Sequence, residues 1–214
     1  MGPNGAGKTT LLKTVARVLE PTEERVRVRG RMAPLLELGA GFHPELTGRE
    51  NVFLYGTLLG HTRREMAAMF DEIVDFAGLG DFIDSPLRVY STGMASRLAF
   101  AVATCRRPDV LLIDEVLAVG DAAFQEKCIA RLESFANSAS CIVLVSHSPD
   151  AVTRLCRRAI YLERGTATTV MTGRQIAELC SERSKLVSPR PKIGATRQSE
   201  KPVESIPGQG AELL

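Results

Sequence analysis

The sequence predicts an α/β fold built on a mostly parallel sheet, and three observations predict it. The chain opens on a Gly-rich stretch, Gly2-Pro3-Asn4-Gly5-Ala6-Gly7-Lys8-Thr9-Thr10, that runs into an apolar helical segment, Leu11 to Leu19. Two continuous apolar runs, Val110 to Ile113 and Cys141 to Val145, end in Asp114-Glu115 and Ser146-His147. Helical patterns separate these runs. Buried strands that alternate with helices indicate a parallel sheet covered on both faces.

The opening stretch fits G-x-x-x-x-G-K-[ST] with no mismatch. Its glycines let the backbone turn tightly enough to aim successive N–H groups at one point, a nest for phosphate oxygens at a helix N-terminus. Lys8 then reaches the β- and γ-phosphates, and the Thr9 hydroxyl is placed to bind magnesium. A Gly-rich turn that merely caps a helix is the plainer reading, and the Lys-Thr pair argues against it. A loop of this kind normally follows a buried strand, and only Met1 precedes it in this sequence. Either the chain is a shortened version of a longer one, or another segment supplies that strand.

Further along, Pro21-Thr22-Glu23-Glu24 breaks the first helix, and Arg25-Val26-Arg27-Val28-Arg29 alternates as a half-exposed strand does. The arginines mark one solvated face rather than a nucleic-acid surface. Leu35-Leu36-Glu37-Leu38 leads into a hinge, Gly39-Ala40-Gly41. Thr47 with Glu50, and Thr62 with Glu65, are capping-box patterns that open two helices. In the second, Met66, Met69, Phe70, Ile73 and Phe76 recur at helical spacing as a core stripe. Residues 43–88 form a largely helical insert, and with the helix that follows the helical subdomain covers about 43–106. After the sheet returns, helices are expected near 122–136 and 150–156, a strand over 159–162, a turn at Gly165 into 166–171, and a last helix over 172–183. The tail from 185 to 214, with Pro189, Pro191, Pro202 and Pro207 among Ser, Gly and charges, reads as disordered. The ordered domain is therefore 1–184.

Composition narrows the class. The 214 residues hold one domain of ordinary size with a tail. Against 25 acidic residues stand 27 basic ones, a balance that calls for neither nucleic acid nor an anionic membrane as partner. Five cysteines (Cys105, Cys128, Cys141, Cys156, Cys180), widely spaced and with no C-x-x-C pair, read as reduced core thiols in a cytosolic compartment. No run approaches the roughly 18 apolar residues of a membrane span, and no signal peptide opens the chain. The sequence predicts a soluble protein that meets a membrane only through a partner.

Four patches beyond the phosphate loop carry chemistry. Asp114 and Glu115 end a buried strand, at the sheet edge where ligands bind in open parallel sheets. Asp114 can hold magnesium, and Glu115 can orient and activate an attacking water; the alternative is two acids capping the next helix. His147 repeats that placement on another strand, within reach of a γ-phosphate or its attacking water. Tyr90-Ser91-Thr92-Gly93-Met94 opens a helix that Ser91 caps, a second helix N-terminus suited to phosphate. Ala118-Val119-Gly120-Asp121 follows the acid pair, in the manner of a helix-start loop.

In this order and spacing the patches resemble the ATP-binding subunits of ABC transporters. GPNGAGKTT is similar to the Walker A loop, VLLIDE to the Walker B strand, YSTGM to the signature loop, AVGD to the D-loop and SH to the switch histidine. LLELGAGFHPELTGREN with YSTGMASRLAFAVAT resembles the exporters of bacterial surface polysaccharides such as O-antigen, capsule or teichoic acid. The resemblance covers roughly residues 2–175. It implies a P-loop ATPase domain with a helical subdomain. ATP and Mg2+ would bind at Gly2, Pro3, Asn4, Gly5, Ala6, Gly7, Lys8, Thr9 and Thr10, with the metal on Thr9 and Asp114 and catalysis by Glu115 and His147. It further implies a head-to-tail homodimer in which Ser91 and Gly93 act in trans on the partner's nucleotide. An integral membrane permease would dock on the helical insert, with the ATPase peripheral on the cytoplasmic face of the inner membrane.

The sequence departs from the family at three points. The strands before the phosphate loop and their adenine-stacking aromatic residue are missing, so the chain is expected to be N-terminally truncated. The usual Leu-Ser-Gly-Gly-Gln signature has Tyr90, Thr92 and Met94 instead, a variant at home in the polysaccharide exporters. No magnesium-sensing Gln is found, and Glu37 lies nearest to its place. The expected function is ATP hydrolysis that drives export of a lipid-linked surface polysaccharide. The alternatives are a soluble ABC-type ATPase acting on ribosomes or DNA, and an inactive truncated remnant.

Overall fold

The computed structural model describes residues 1–114, 119–168, 170–176 and 178–179. Glu115, Ala118 and the expected disordered tail lie outside them.

The first helix, α1, spans Lys8–Val15 and starts earlier than the apolar pattern suggests. Gly7 is its N-cap at φ 97, a backbone state that glycine adopts without steric cost. The helix stops before Leu19 because Arg17 turns left-handed at φ 61, which leaves Val18 and Leu19 exposed. The Arg25-to-Arg29 segment does not form the expected strand. Its valines are half-buried and its arginines exposed, as the alternation implies, but among the described residues no strand pairs with it. Alternation reports burial, whereas a strand also needs a neighbour to take its backbone hydrogen bonds.

The sheet has three parallel strands in the order β1-β2-β3, where β1 is Met32–Leu35, β2 Val110–Asp114 and β3 Cys141–Val145. Leu35 pairs with Ile113, and Asp114 with Val145, so the carboxyl ends of β2 and β3 finish together. β1 meets the lead-in to the glycine hinge only at Leu35, and no sequence pattern marks a strand over residues 32–34. Pro34 within it is tolerated because β1 is an edge strand. The two faces of β2 are separated by alternation: Leu112 packs with Leu12 of α1, whereas Leu111 and Ile113 enter the large core.

That core is built from α2 (Gly48–Leu58), α3 (Arg63–Ala77), α4 (Thr92–Ala103) and α5 (Ala122–Asn137). Both capping boxes form: the Glu50 and Glu65 N–H groups donate to the Thr47 and Thr62 hydroxyls at 3.1 and 3.2 Å. Each is worth on the order of 1 kcal/mol. Met66, Phe70 and Ile73 of the stripe are buried, and Met69 and Phe76 pack partly buried against them. The Arg131 guanidinium lies 3.9 Å from the Phe76 ring centroid and roofs the same patch. One apolar cluster runs from α2 and α3 through α4 to the sheet, so α4 packs on the helical layer and on β1 alike.

Beyond β3 come α6 (Pro149–Leu155), β4 (Arg158–Ala159), β5 (Leu162–Glu163), β6 (Thr166–Ala167) and β7 (Met171–Thr172). The strand expected over 159–162 is split, because its two halves pair with different partners: β4 with β7 and β5 with β6, both antiparallel. Of the last helix, residues 173–176 and 178–179 are helical, and the rest of 172–183 lies outside the described residues except Thr172, which ends β7. Among the described residues β3 is the second edge of the sheet. Along it runs an apolar groove of about 920 Å³, lined by Leu11 and Leu12 of α1, Val143 of β3, and Val152 and Leu155 of α6. Cys128 is buried and Cys105 and Cys156 half-buried, and burial pushes the thiols of Cys128 and Cys105 up to about 12 and about 11. Cys141, at the start of β3, is exposed, contrary to the expectation of a core thiol; Cys180 lies outside the described residues. Among the described residues no helix is long and apolar enough to cross a membrane.

Candidate functional site

The phosphate loop, residues 2–7, runs over the carboxyl end of the sheet. Gly5 and Gly7 take φ 76 and 97, and the Ala6 N–H closes the turn on the Pro3 carbonyl at 3.3 Å. Gly7 has no side chain to cap α1, and no acid stands in the first turn, so the helix N-terminus faces outward with its positive end unneutralised. Lys8 is buried and donates from Nζ to the carbonyls of Gly2 and Pro3, each at 2.9 Å. These bonds stretch the lysine back along the loop and hold its charge over the nest.

Asn4, Gly5, Gly7, Lys8, Thr9, Thr10, Asp114 and His147 line one cleft of about 420 Å³. The structure therefore brings the loop and the ends of β2 and β3 together. Asp114 arrives because β2 ends in register with β3, and His147 because β3 ends just before it; the Ser148 N–H donates to Ser146 Oγ at 3.0 Å and shapes that turn. Glu115 lies outside the described residues. Glu37 is not in this cleft: its carboxylate pairs with Lys13 of α1 at 3.1 Å.

Ser91 and Gly93 stand elsewhere. With Thr92, Met94, Ser96, Arg97, Gly120 and Asp121 they line a second cleft of about 430 Å³ that shares no residue with the first. Ser91 caps α4 through the Met94 N–H at 3.1 Å, and Asp121 caps α5 through the Phe124 N–H at 2.8 Å. Tyr90, marked in the sequence only as part of the signature-like stretch, and Arg97, which no sequence pattern marks, hold this cleft in place. The Tyr90 hydroxyl donates to the Phe82 carbonyl at 2.7 Å, in space that a Cβ on Gly48 would invade. Arg97 Nε donates to the Ala77 carbonyl at 2.8 Å, and its guanidinium lies 5.3 Å from the Phe124 ring centroid, so it joins the end of α3 to α4 and α5.

A loop nest at the start of α1, with a carboxylate and a histidine from adjacent strand ends in the same cleft, defines an α/β nucleotide-binding domain of the P-loop class. Two solved structures share its fold: a dimeric ATP-binding cassette in a post-hydrolysis state bound to ADP and Pi, with TM-score 0.67 over 80% of this chain and 83% of that one at 24% identity, and an ATP-binding subunit of an ABC transporter, with TM-score 0.73 over 86% of this chain and 81% of that one at 22% identity. The chain belongs to the ABC transporter family, whose model matches residues 1–118. Among its relatives is an O-antigen export system ATP-binding protein, RfbB, of Klebsiella pneumoniae, 49% identical over 84% of this chain and 73% of that protein. The RfbB of Myxococcus xanthus is 43% identical over 98% of this chain and 50% of its own length. A teichoic acids export ATP-binding protein, TagH, of Levilactobacillus brevis is 41% identical over 78% of this chain and 46% of its own length.

Proposed function

We propose that this chain is the ATP-hydrolysing subunit of an ABC exporter that drives a lipid-linked surface polysaccharide across the inner membrane. The observation that carries the reading is the single cleft shared by Lys8, Thr9, Asp114 and His147. The export substrate class rests on the likeness to the O-antigen and teichoic acid export proteins.

In this reading the uncapped N-terminus of α1 and the loop N–H groups bind the phosphates, and Lys8 exchanges its two loop carbonyls for phosphate oxygens. Thr9 and Asp114 offer a hydroxyl and a carboxylate, hard oxygen donors that fit magnesium. The ion, when bound, neutralises charge on the phosphates. Glu115, next after Asp114 in sequence, orients and activates the attacking water, and His147 contacts the γ-phosphate. Ser91 and Gly93 line a different cleft, which supports their acting in trans on the nucleotide of a second copy. The helical layer within 43–106 receives the membrane permease, the domain extends to about residue 184, and the subunit works peripherally on the cytoplasmic face.

Measurement of ATP binding and phosphate release by the wild-type chain and Glu115→Gln tests the chemistry. The variant is expected to bind ATP and release no phosphate; undiminished release removes Glu115 from the role. Recovery of the chain with a membrane permease, rather than with ribosomes or DNA, tests the transport assignment.

A further inference from the structure

Contacts from the far end of the described chain bracket the phosphate loop. The Leu162 N–H donates to the Met1 carbonyl at 2.8 Å, and the Met1 amino group donates to the Ile160 carbonyl at 2.9 Å. The residue before the loop is thus held between two rungs. A Cβ on Gly2 would collide with the Leu162 carbonyl oxygen, so the loop's first turn lies flat on this backbone. Farther along, the Leu162 side chain reaches within 3.8 Å of the position a Cβ would take on Gly7, the N-cap of α1. At the tip of the β5–β6 hairpin, the Gly165 N–H donates to the Ala6 carbonyl at 3.2 Å. The tip is a two-residue turn with Arg164 at φ 50 and Gly165 at φ 78, a mirror-type turn whose twist matches the strands it joins.

The hairpin therefore touches the loop at both ends, Met1-Gly2 and Ala6-Gly7, and leaves Asn4 and Gly5 between them to the cleft. None of residues 160–165 lines the cleft, so their effect on a ligand passes through the loop. A loop with three glycines in six residues is conformationally loose by itself. Outside contacts must hold its N–H groups convergent.

We propose that the β5–β6 hairpin is a positioning element for the phosphate loop, with Leu162 as its key residue and Gly165 as its second clamp. The inference deepens the nucleotide reading above and rests on it. Clamping the loop before binding lowers the ordering cost on binding, so the hairpin sets affinity without touching ATP.

The test compares the full chain with Leu162→Ala, Leu162→Met and, as a control elsewhere in the core, Phe135→Leu of α5. Backbone amide hydrogen exchange without nucleotide and titration with a fluorescent ATP analogue are measured on each. In Leu162→Ala the amides of residues 4–8 are expected to exchange about tenfold faster while those of α3 keep their wild-type rates. The same variant is expected to bind the analogue about tenfold more weakly. Leu162→Met restores both values, and Phe135→Leu lowers the melting temperature without changing either. If Leu162→Ala unfolds, Leu162→Val supplies the milder truncation with the same expected order. Wild-type exchange in the loop, or wild-type affinity despite faster exchange, overturns the proposal. Faster loop exchange in a chain whose wild-type form binds no nucleotide sinks the nucleotide reading and leaves the structural clamp standing.

Discussion

Lys13 on α1 and Glu37 beyond β1 meet at 3.1 Å, and the pair ties the helix behind the phosphate loop to the segment that leads into the helical layer. Both side chains are solvated, Glu37 at 67% exposure, so the tie is weak in free energy. Glu37→Gln is expected to change unfolding free energy by less than about 1 kcal/mol in urea titrations. It also leaves ATP affinity unchanged, because Glu37 stands outside the cleft.

Lys8 is the residue whose loss costs most. It supplies the buried charge over the nest and two bonds that close the loop. Lys8→Ala is expected to weaken ATP binding by about 2–3 kcal/mol, read by titration calorimetry. Lys8→Arg does not restore it, since a planar fork cannot replace a point charge in so narrow a turn.

Gly48 and Tyr90 share one space at the foot of the second cleft. Gly48→Ala is expected to cost about 1–3 kcal/mol of stability, because its methyl meets the Tyr90 hydroxyl and, at 2.9 Å, the Ile83 carbonyl. Tyr90→Phe alone costs about 1 kcal/mol through the lost bond to Phe82. The double variant is expected to cost less than the sum of the two single costs, since the hydroxyl that clashes is gone. Denaturant unfolding of the four-member cycle measures the coupling.

Acid acts on the start of α3 through Glu65. The Thr62 N–H, then the Thr62 hydroxyl, with Arg106 adding, hold its carboxyl down at about 2. Its folded value lies below the unfolded one, so the stabilisation is complete above the unfolded carboxyl range and fades as pH falls toward 2. An NMR titration of Glu65 is expected to show the low midpoint in the wild type and a higher one in Thr62→Ala.

His61 acts in a nearer pH range. It is buried with no partner on Nδ1 among the described residues, and burial, then Arg31, hold its pKa below the ordinary value. The unfolded chain takes up this proton first, so stability is full above about pH 6.5 and declines below it. In His61→Leu the melting temperature is expected to lose its fall between pH 6.5 and 5.

The sequence and the structure agree where local chemistry decides. Thr47, Thr62, Ser91 and Asp121 each cap a helix that their spacing announced, and β2 and β3 fall on their apolar runs. Agreement ends where a partner decides. Arg25 to Arg29 has a strand's alternation and no ladder, Met32–Leu35 has a ladder around an unpromising proline, and 159–162 divides because two hairpins claim its halves. The convergence of Lys8, Asp114 and His147 was legible because strand ends of a parallel sheet share one edge. The tie between Gly165 and Ala6 was not, since no pattern in a sequence announces contacts between residues so far apart.

Among the described residues no strand pairs with the outer flank of β3, and that flank has a practical consequence. Cys141 to Val145 is an uncharged, β-prone stretch whose outward peptide groups lie beside an oily furrow, the situation from which chains recruit one another into fibrils and precipitates. A lysine at Val143, 36% exposed on that margin, is the least invasive way to keep the chain in solution.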